Sequence, residues 1–145
     1  MSEIEEFLTP NDEQEIVAAI KTAEKNTSGE IRVHIETTAT IDPYERAKEV
    51  FFLLEMDKTK DQNAVLIYVA VHEHKFVICG DKAINEVVPN EFWESAKNIM
   101  QAHFKQGNFK KGLIDGILKA GEELKAHFPW QVDDENELSN QISKG

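Results

Sequence analysis

The chain has little cysteine, few basic residues and no long apolar run. Its single cysteine, Cys79, excludes a disulfide bond within the chain. No stretch approaches the roughly 20 apolar residues that a membrane-spanning helix needs, so no transmembrane segment is expected. Only 16 basic residues stand against 27 acidic ones, which gives a net charge of −11. Nucleic acid is not an expected partner, because neutralising its phosphates requires clustered Lys and Arg.

The amino terminus has none of the features of a targeting signal. Met1–Phe7 is acidic and has neither the basic nor the apolar region of a signal peptide. We therefore expect a cytoplasmic protein. The 145 residues are 41% hydrophobic and 30% charged, which is typical of one acidic, soluble globular domain.

An almost unbroken apolar run, Asn63–Val71, is the strongest structural signal in the sequence. A short run that is apolar on every side indicates a central strand covered by helices on both faces. Lys75–Cys79 follows after a short polar break, which predicts an antiparallel hairpin. Glu30–Glu36 alternates between apolar and polar residues, which predicts a half-exposed strand near the edge of the sheet.

Helix signals surround these three strands. Thr9-Pro10 and Asp42-Pro43 each place a capping residue before a proline, as at the start of a helix. Two further helices follow Pro89, and Gly112 and Gly116, one turn apart in the second of them, indicate a close approach to another element. The order of strand, helix and strand predicts a parallel pair with a right-handed crossover.

The predicted fold class is therefore α/β, as a three-layer α/β/α sandwich with a small mixed central sheet. We expect one domain over residues 1–130. Residues 131–145 are polar and acidic and have little to bury, which predicts a C-terminal tail.

Acidic and amide side chains gather where the predicted strands begin or end. Five residues form this candidate metal site: Glu30, Asp61, Asn63, Asp81 and Glu86. The hairpin returns Asp81 to the end of the sheet at which Asp61 and Asn63 enter it. Oxygen ligands without Cys or paired His favour calcium or magnesium over zinc, so we expect calcium, or else magnesium, as the bound cation.

Other chemistries have weaker support in the sequence. His72 and His74 form a His-x-His pair, but their place at a hairpin tip favours exposed turn residues over a zinc site. Neither a Walker loop nor a Cys-x5-Arg arrangement is present. An aspartyl-phosphate route could use Asp81 or Asp61, with a bound cation and Lys82 to neutralise the phosphate. No catalytic residue and no organic cofactor site are predicted.

Several stretches together resemble a known family. They occur in order and at suitable spacing: Thr27–Val33, Asn63–Val71, Gly80-Asp81, Phe92-Trp93 and His127–Pro129. This set is similar to the TPM domain family, in its soluble branch, and the likeness spans roughly Phe7 to Pro129. The resemblance implies an α/β/α sandwich. For function it implies calcium binding in some members, acid phosphatase activity in a thylakoid member and accessory roles in larger complexes in others.

Three functions are therefore expected, in this order. The first is a small soluble domain that binds a divalent cation and has an accessory, non-catalytic role. The second is a metal-assisted acid phosphatase acting on phosphate monoesters, by family analogy alone. The third is an interaction module that uses the sheet edge or the acidic surface to dock a protein partner. Whether the protein is an enzyme is left open by the sequence.

Overall fold

A computed structural model describes residues 8–25, 27–59, 61–88, 91–130 and 140–144. The described strands are β1 (Glu30–Glu36), β2 (Ala64–Ala70), β3 (Lys75–Gly80) and β4 (Ser143–Lys144). The described helices are α1 (Pro10–Glu24), α2 (Pro43–Leu53), α3 (Lys82–Val87), α4 (Glu94–Lys105) and α5 (Phe109–His127), with a short 3-10 turn at Met56–Lys58.

The four strands form one mixed sheet in the order β3-β2-β1-β4. β1 and β2 run parallel, with Glu30 opposite Ala64, whereas β2 and β3 form an antiparallel hairpin. β2 is buried along its whole length, which confirms the prediction of a central strand. The parallel pair and the hairpin are both as predicted from the apolar run and the short polar break.

Helices cover both faces of the sheet, as predicted for a three-layer sandwich. On one face, α1, α4 and α5 pack against Ile31, Val33, Ile35 and the odd-numbered residues of β2. On the other face, α2 and the 3-10 turn pack against Ala64, Leu66, Tyr68 and Ala70. Alternate residues of β2 therefore enter two separate cores, because successive side chains of a strand point to opposite faces.

The predicted helix starts are confirmed. The Thr9 hydroxyl accepts the Asp12 N–H at 3.1 Å, and the Asp12 carboxylate accepts the Thr9 N–H, which completes a capping box. Asp42 accepts the N–H groups of Tyr44 and Glu45 at the start of α2. The capping residues fix where these helices begin before any tertiary contact is considered.

The helical glycines mark close contacts between helices, as predicted. A Cβ atom on Gly112 would lie 2.6 Å from the ring of Phe104, and one on Gly116 would overlap the side chain of Met100. Both contacts join α5 to α4. The absence of side chains at these positions allows the two helices to pack as a close antiparallel hairpin.

The prediction that β1 is half exposed is wrong, whereas its predicted place near the sheet edge is confirmed. Among the described strands, only β4 lies outside β1, and this two-residue strand from the far end of the chain pairs in parallel with His34 opposite Ser143. His34 and Glu36 of β1 are only 5% and 4% exposed, and Arg46 of α2 covers Glu36. Part of the predicted tail therefore lies in the sheet, while residues 131–139 fall outside the described residues.

Candidate functional site

Three of the five predicted site residues lie at one end of the sheet. Glu30 is paired with Ala64, and Asp81 donates its backbone N–H to the Ala64 carbonyl at 2.9 Å. Asn63 directly precedes Ala64. The backbones of Glu30 and Asp81 thus lie on the two sides of Ala64. They are separated by two strand spacings, or about 10 Å.

Asp81 ends the hairpin and caps α3. Its Oδ1 atom accepts the Lys82 N–H at 2.7 Å, whereas Oδ2 is buried and accepts no hydrogen bond from the described residues. Burial raises the pKa of Asp81, and the negative charge of Asp57 raises it further. A buried carboxylate oxygen without a donor is a group that a cation or an ordered water would satisfy.

Glu30 lies in an equally buried but different environment. It is 5% exposed, and its charge acts on the carboxylate of Glu24 at the end of α1. Glu24 accepts the Ile31 N–H at 2.9 Å. Burial, with a smaller contribution from Glu30, raises the pKa of Glu24 to about 7. The charges of Glu24 and Glu30 therefore repel each other on this side of the sheet end.

The other predicted ligands differ in position. Asn63 is 1% exposed and donates its side-chain N–H to the Ser28 hydroxyl at 3.1 Å, which fixes the loop before β1 against the loop before β2. Asp61 and Glu86 are exposed, in the loop before β2 and on α3. Within the described ranges, no three His, Cys, Asp or Glu side chains lie close enough together to hold a metal ion.

The sequence analysis missed two polar groups in the loop before β2. Asp57, in the 3-10 turn, is near enough to affect the pKa of Asp81 through its charge. Thr59 follows in the same loop, is 5% exposed, and has a buried hydroxyl that bonds to none of the described residues. The only signal for either in the sequence is the polar loop that precedes β2.

Asp81 borders a groove between α2, the end of β3, α3 and the start of α4. The cavity in this groove measures about 570 Å³. Lys48, Lys82 and Lys97 border the same cavity, so cationic and acidic groups meet in it. Cys79 also borders it, and burial raises the pKa of that thiol, which disfavours the reactive thiolate.

A second polar cluster lies at the opposite end of β1, around Glu36. The guanidinium of Arg46 donates to both carboxylate oxygens of Glu36, with a shortest N–O distance of 2.6 Å. The hydroxyl of Tyr68 donates to Glu36 at 2.6 Å, and His34 Nε2 lies 3.0 Å from it. The remaining ring nitrogen of His34 lies 2.9 Å from the Ser143 hydroxyl.

The partners of Glu36 determine its charge. Burial alone would raise the pKa of Glu36, but the hydrogen bonds from Arg46, Tyr68 and His34 outweigh it and bring the value to about 2. Burial lowers the pKa of His34. Ser143, His34 and Glu36 are arranged in the order of a catalytic triad of nucleophile, base and acid. Arg46 and Tyr68 also bind the carboxylate of Glu36, however, which is typical of a structural cluster. The cluster fastens α2 and β4 to β1.

The predicted reading of the His-x-His pair as exposed turn residues agrees with the structure. His72 and His74 are exposed at the tip of the hairpin, and His72 Nδ1 lies 3.1 Å from the Thr38 hydroxyl. His34 is instead held by Glu36 and Ser143 in the second cluster. His34 and His72 thus have separate partners and do not form a common site.

No helix among the described residues is both long and apolar enough to cross a membrane.

The family model described as the TPM domain matches residues 2–123. None of the curated proteins matches the chain.

Three solved structures are similar to this fold. The BA42 protein of the psychrophilic bacterium Bizionia argentinensis is 61% identical over 100% of both chains, with a TM-score of 0.93. The N-terminal domain of a P. gingivalis protein is 15% identical, covers 84% of this chain and 79% of its own, and has a TM-score of 0.69. The N-terminal domain of the cg2496 protein of Corynebacterium glutamicum is 13% identical, covers 95% and 81%, and has a TM-score of 0.62. The last two share the fold alone.

Proposed function

The chain belongs to the TPM domain family, and from that premise we propose that it binds a divalent cation, calcium in the first place, at Asp81. Its role is accessory rather than catalytic. The observation that supports this proposal is the buried Oδ2 atom of Asp81, which has no hydrogen-bond donor among the described residues. The charge of Asp57 also acts on this carboxylate and raises its pKa.

The ligand chemistry favours calcium over a transition metal. Calcium accepts six to eight oxygen ligands at 2.3–2.6 Å in flexible geometry, and these include carbonyls, hydroxyls and water. Asp81 and Asp57 supply two carboxylates, and the Thr59 hydroxyl is an uncommitted oxygen two residues after Asp57. With two carboxylates and water completing the shell, affinity belongs to the weak range, on the order of 10⁻⁴–10⁻³ M.

A bound cation would also offset the free-energy cost of keeping Asp81 ionised. Burial and the Asp57 charge both raise the pKa of Asp81 in the unbound protein, so the ionised form is held at a cost. A divalent ion between the two carboxylates favours ionisation of both, and binding should therefore release protons. Affinity is expected to increase as pH rises through the acidic range.

Calcium titration of the isotope-labelled protein tests this proposal. The amide signals of Gly80, Asp81 and Lys82 are expected to shift at millimolar calcium, and Asp81→Asn is expected to abolish the shift. Asparagine still caps a helix, so the variant should remain folded. Asp42→Asn is the matched control, because Asp42 caps α2 in the same way and lies outside the proposed site.

Two results would contradict cation binding here. One is an unchanged spectrum up to about 10 mM calcium, well above the affinity range of weak protein sites. The other is a titration of Asp81→Asn that matches that of the unmodified protein. A parallel titration with magnesium distinguishes a calcium-selective site from general attraction of cations to an acidic surface. A selective site should respond to calcium at lower concentrations than to magnesium.

Metal-assisted hydrolysis of a phosphate monoester is the second candidate function. The observation that favours it is the groove itself, in which Lys48, Lys82 and Lys97 border the cavity beside Asp81. Cationic side chains there would neutralise a phosphoryl group while the metal polarises it. Hydrolysis of p-nitrophenyl phosphate that survives full purification, requires the cation and disappears in Asp81→Asn supports this function. Activity that Asp81→Asn retains rules it out.

A further inference from the structure

The outer edge of β3 pairs with no other strand among the described residues, because β3 is the last strand of the sheet. At the end of β3, the Gly80 carbonyl accepts the side-chain N–H of Asn85 at 3.1 Å. The Asp81 N–H bonds to Ala64, and the Val71 N–H bonds to Glu36 on the other side of β2. By the alternation of an antiparallel ladder, the N–H and C=O groups of Phe76 and Ile78 then point away from β2.

Water has limited access to this part of the edge. Ile78 is only 6% exposed, and Phe76 is partly buried against the core. Backbone polar groups that are removed from water and lack a partner cost free energy comparable to a lost hydrogen bond. An added strand supplies the missing donors and acceptors in the right alternation.

Two cavities follow β3 along its length. The first, of about 760 Å³, borders His74–Val77, and the second, of about 570 Å³, borders Ile78–Asp81. Tyr44 on α2 borders both, so the cavities adjoin. We call this surface the β3 groove, defined by Lys75–Gly80 and the two cavities. A strand of six residues, roughly 20 Å long, matches it in length.

The charge of the β3 groove opposes that of the molecule. Five lysines border the two cavities, against three acidic residues, in a chain whose net charge is −11. These lysines are Lys48, Lys75, Lys82, Lys97 and Lys105. Lysine on an edge strand commonly prevents edge-to-edge aggregation. Only Lys75 is on β3, however, and the other four are on α2, α3 and α4, where they would face a bound segment.

Aromatic side chains complete the groove. Tyr44 and Phe52 on α2 are 52% and 63% exposed, although both are large apolar groups. Phe104 and Phe109 border the first cavity. Protein-binding surfaces commonly combine exposed aromatic side chains with positive charge, and here both lie next to an open strand edge.

We propose that the β3 groove binds an acidic, extended segment of a partner protein, which adds to the sheet beside β3. The backbone of the segment pairs with Phe76 and Ile78, its apolar side chains contact Tyr44 and Phe52, and its carboxylates face the lysines. Although Asp81 borders the same groove, this interaction uses the backbone of β3 and the lysines and does not need the Asp81 carboxylate or a bound cation.

The test uses the isotope-labelled full chain in calcium-free buffer containing a chelator. The probe is a capped hexapeptide that alternates glutamate and valine. We expect its addition to shift the amide signals of Lys75–Gly80 and to slow hydrogen exchange of the Phe76 and Ile78 amides. Lys48→Glu combined with Lys97→Glu is expected to weaken binding roughly tenfold, since each surface charge contributes up to about 1 kcal/mol.

Matched controls separate strand addition from simple charge attraction. Lys111→Glu combined with Lys125→Glu changes the net charge equally but lies on α5, away from the groove, and should leave binding unchanged. A peptide of the same sequence that is N-methylated at every residue has no backbone N–H to donate to the ladder and should not bind. The proposal is overturned if the peptide does not bind or if a lysine–valine peptide binds equally well. It is also overturned if the control variant weakens binding or if the methylated peptide binds.

Discussion

At the scale of single residues, the hydroxyl group of Tyr68 is expected to be a major contributor to stability. Tyr68 is fully buried and donates to the Glu36 carboxylate at 2.6 Å. Tyr68→Phe keeps the ring but removes one donor from a buried charge. A hydrogen bond to a charged group is worth about 1.5–3 kcal/mol, so we expect a loss of that size in the free energy of unfolding, measured by urea denaturation at pH 7.

Tyr44→Phe is the matched control for this substitution. Tyr44 is 52% exposed, and its ring contacts Lys48, a contact that phenylalanine retains. We expect a change below about 0.5 kcal/mol, as for most surface substitutions. Equal stabilities of the two variants would mean that the Tyr68–Glu36 bond adds nothing beyond the packing of the ring.

Individual residues differ in how far the sequence predicts them. Thr9 and Asp42 were predicted as caps because capping is a local property of a few adjacent residues. The effect of Asp57 on Asp81 was not predicted, since it depends on how a loop packs after folding. The Glu36 cluster was missed for the same reason, because its members come from four separate elements.

At the scale of elements, the contact of α1 with α5 depends on Gly121. A Cβ atom at this position would lie 2.7 Å from the Cβ and 3.0 Å from the Cα of Ala23. Alanine improves helix propensity by about 1 kcal/mol, but backbone atoms of α1 cannot move aside as a side chain can. We expect Gly121→Ala to lower the free energy of unfolding by about 1–3 kcal/mol, as overpacking does.

Gly116→Ala is the comparison for Gly121→Ala. Its added methyl meets the side chain of Met100, a flexible thioether that can adopt another rotamer. The loss in thermal or urea denaturation should therefore be smaller than for Gly121→Ala. A larger loss of stability for Gly116→Ala than for Gly121→Ala would show that α1 can shift more easily than the side chain of Met100.

The elements themselves could mostly be predicted, because their signals are periodic and local. The run Asn63–Val71 indicated a central strand, and the structure confirms this for β2. The exposure of β1 was predicted wrongly, since its alternating pattern is that of a half-exposed strand. Its neighbour β4 has only two residues, more than 100 positions along the chain, and no pattern in so short a strand predicts the pairing.

At the scale of the whole molecule, composition gave the net charge but not its distribution. The value of −11 excluded nucleic acid as an expected partner and agrees with the acidic end of the sheet. The lysines along the β3 groove were not predicted as a group, because α2, α3 and α4 contribute them from distant parts of the sequence.

Two buried carboxylates predict how the stability of the whole molecule depends on pH. The pKa of Glu36 is lowered from 4.5 to about 2, so its contribution is present above pH 4.5 and is lost as pH falls towards 2. The pKa of Glu24 is raised from 4.5 to about 7, so its contribution is present below pH 4.5 and is lost as pH rises through 7. Stability should therefore be greatest near pH 5.

Urea denaturation between pH 2 and pH 8 tests this profile, and Glu24→Gln isolates its upper half. Glutamine can still accept the Ile31 N–H but never ionises. The unmodified protein should lose about 3 kcal/mol between pH 5 and 8 from this group, and the variant should lose much less. Glu122→Gln, at an exposed position on α5, removes the same charge and should keep the full decline. If Glu24→Gln and Glu122→Gln decline equally, general charge repulsion rather than the burial of Glu24 sets the alkaline limit of stability.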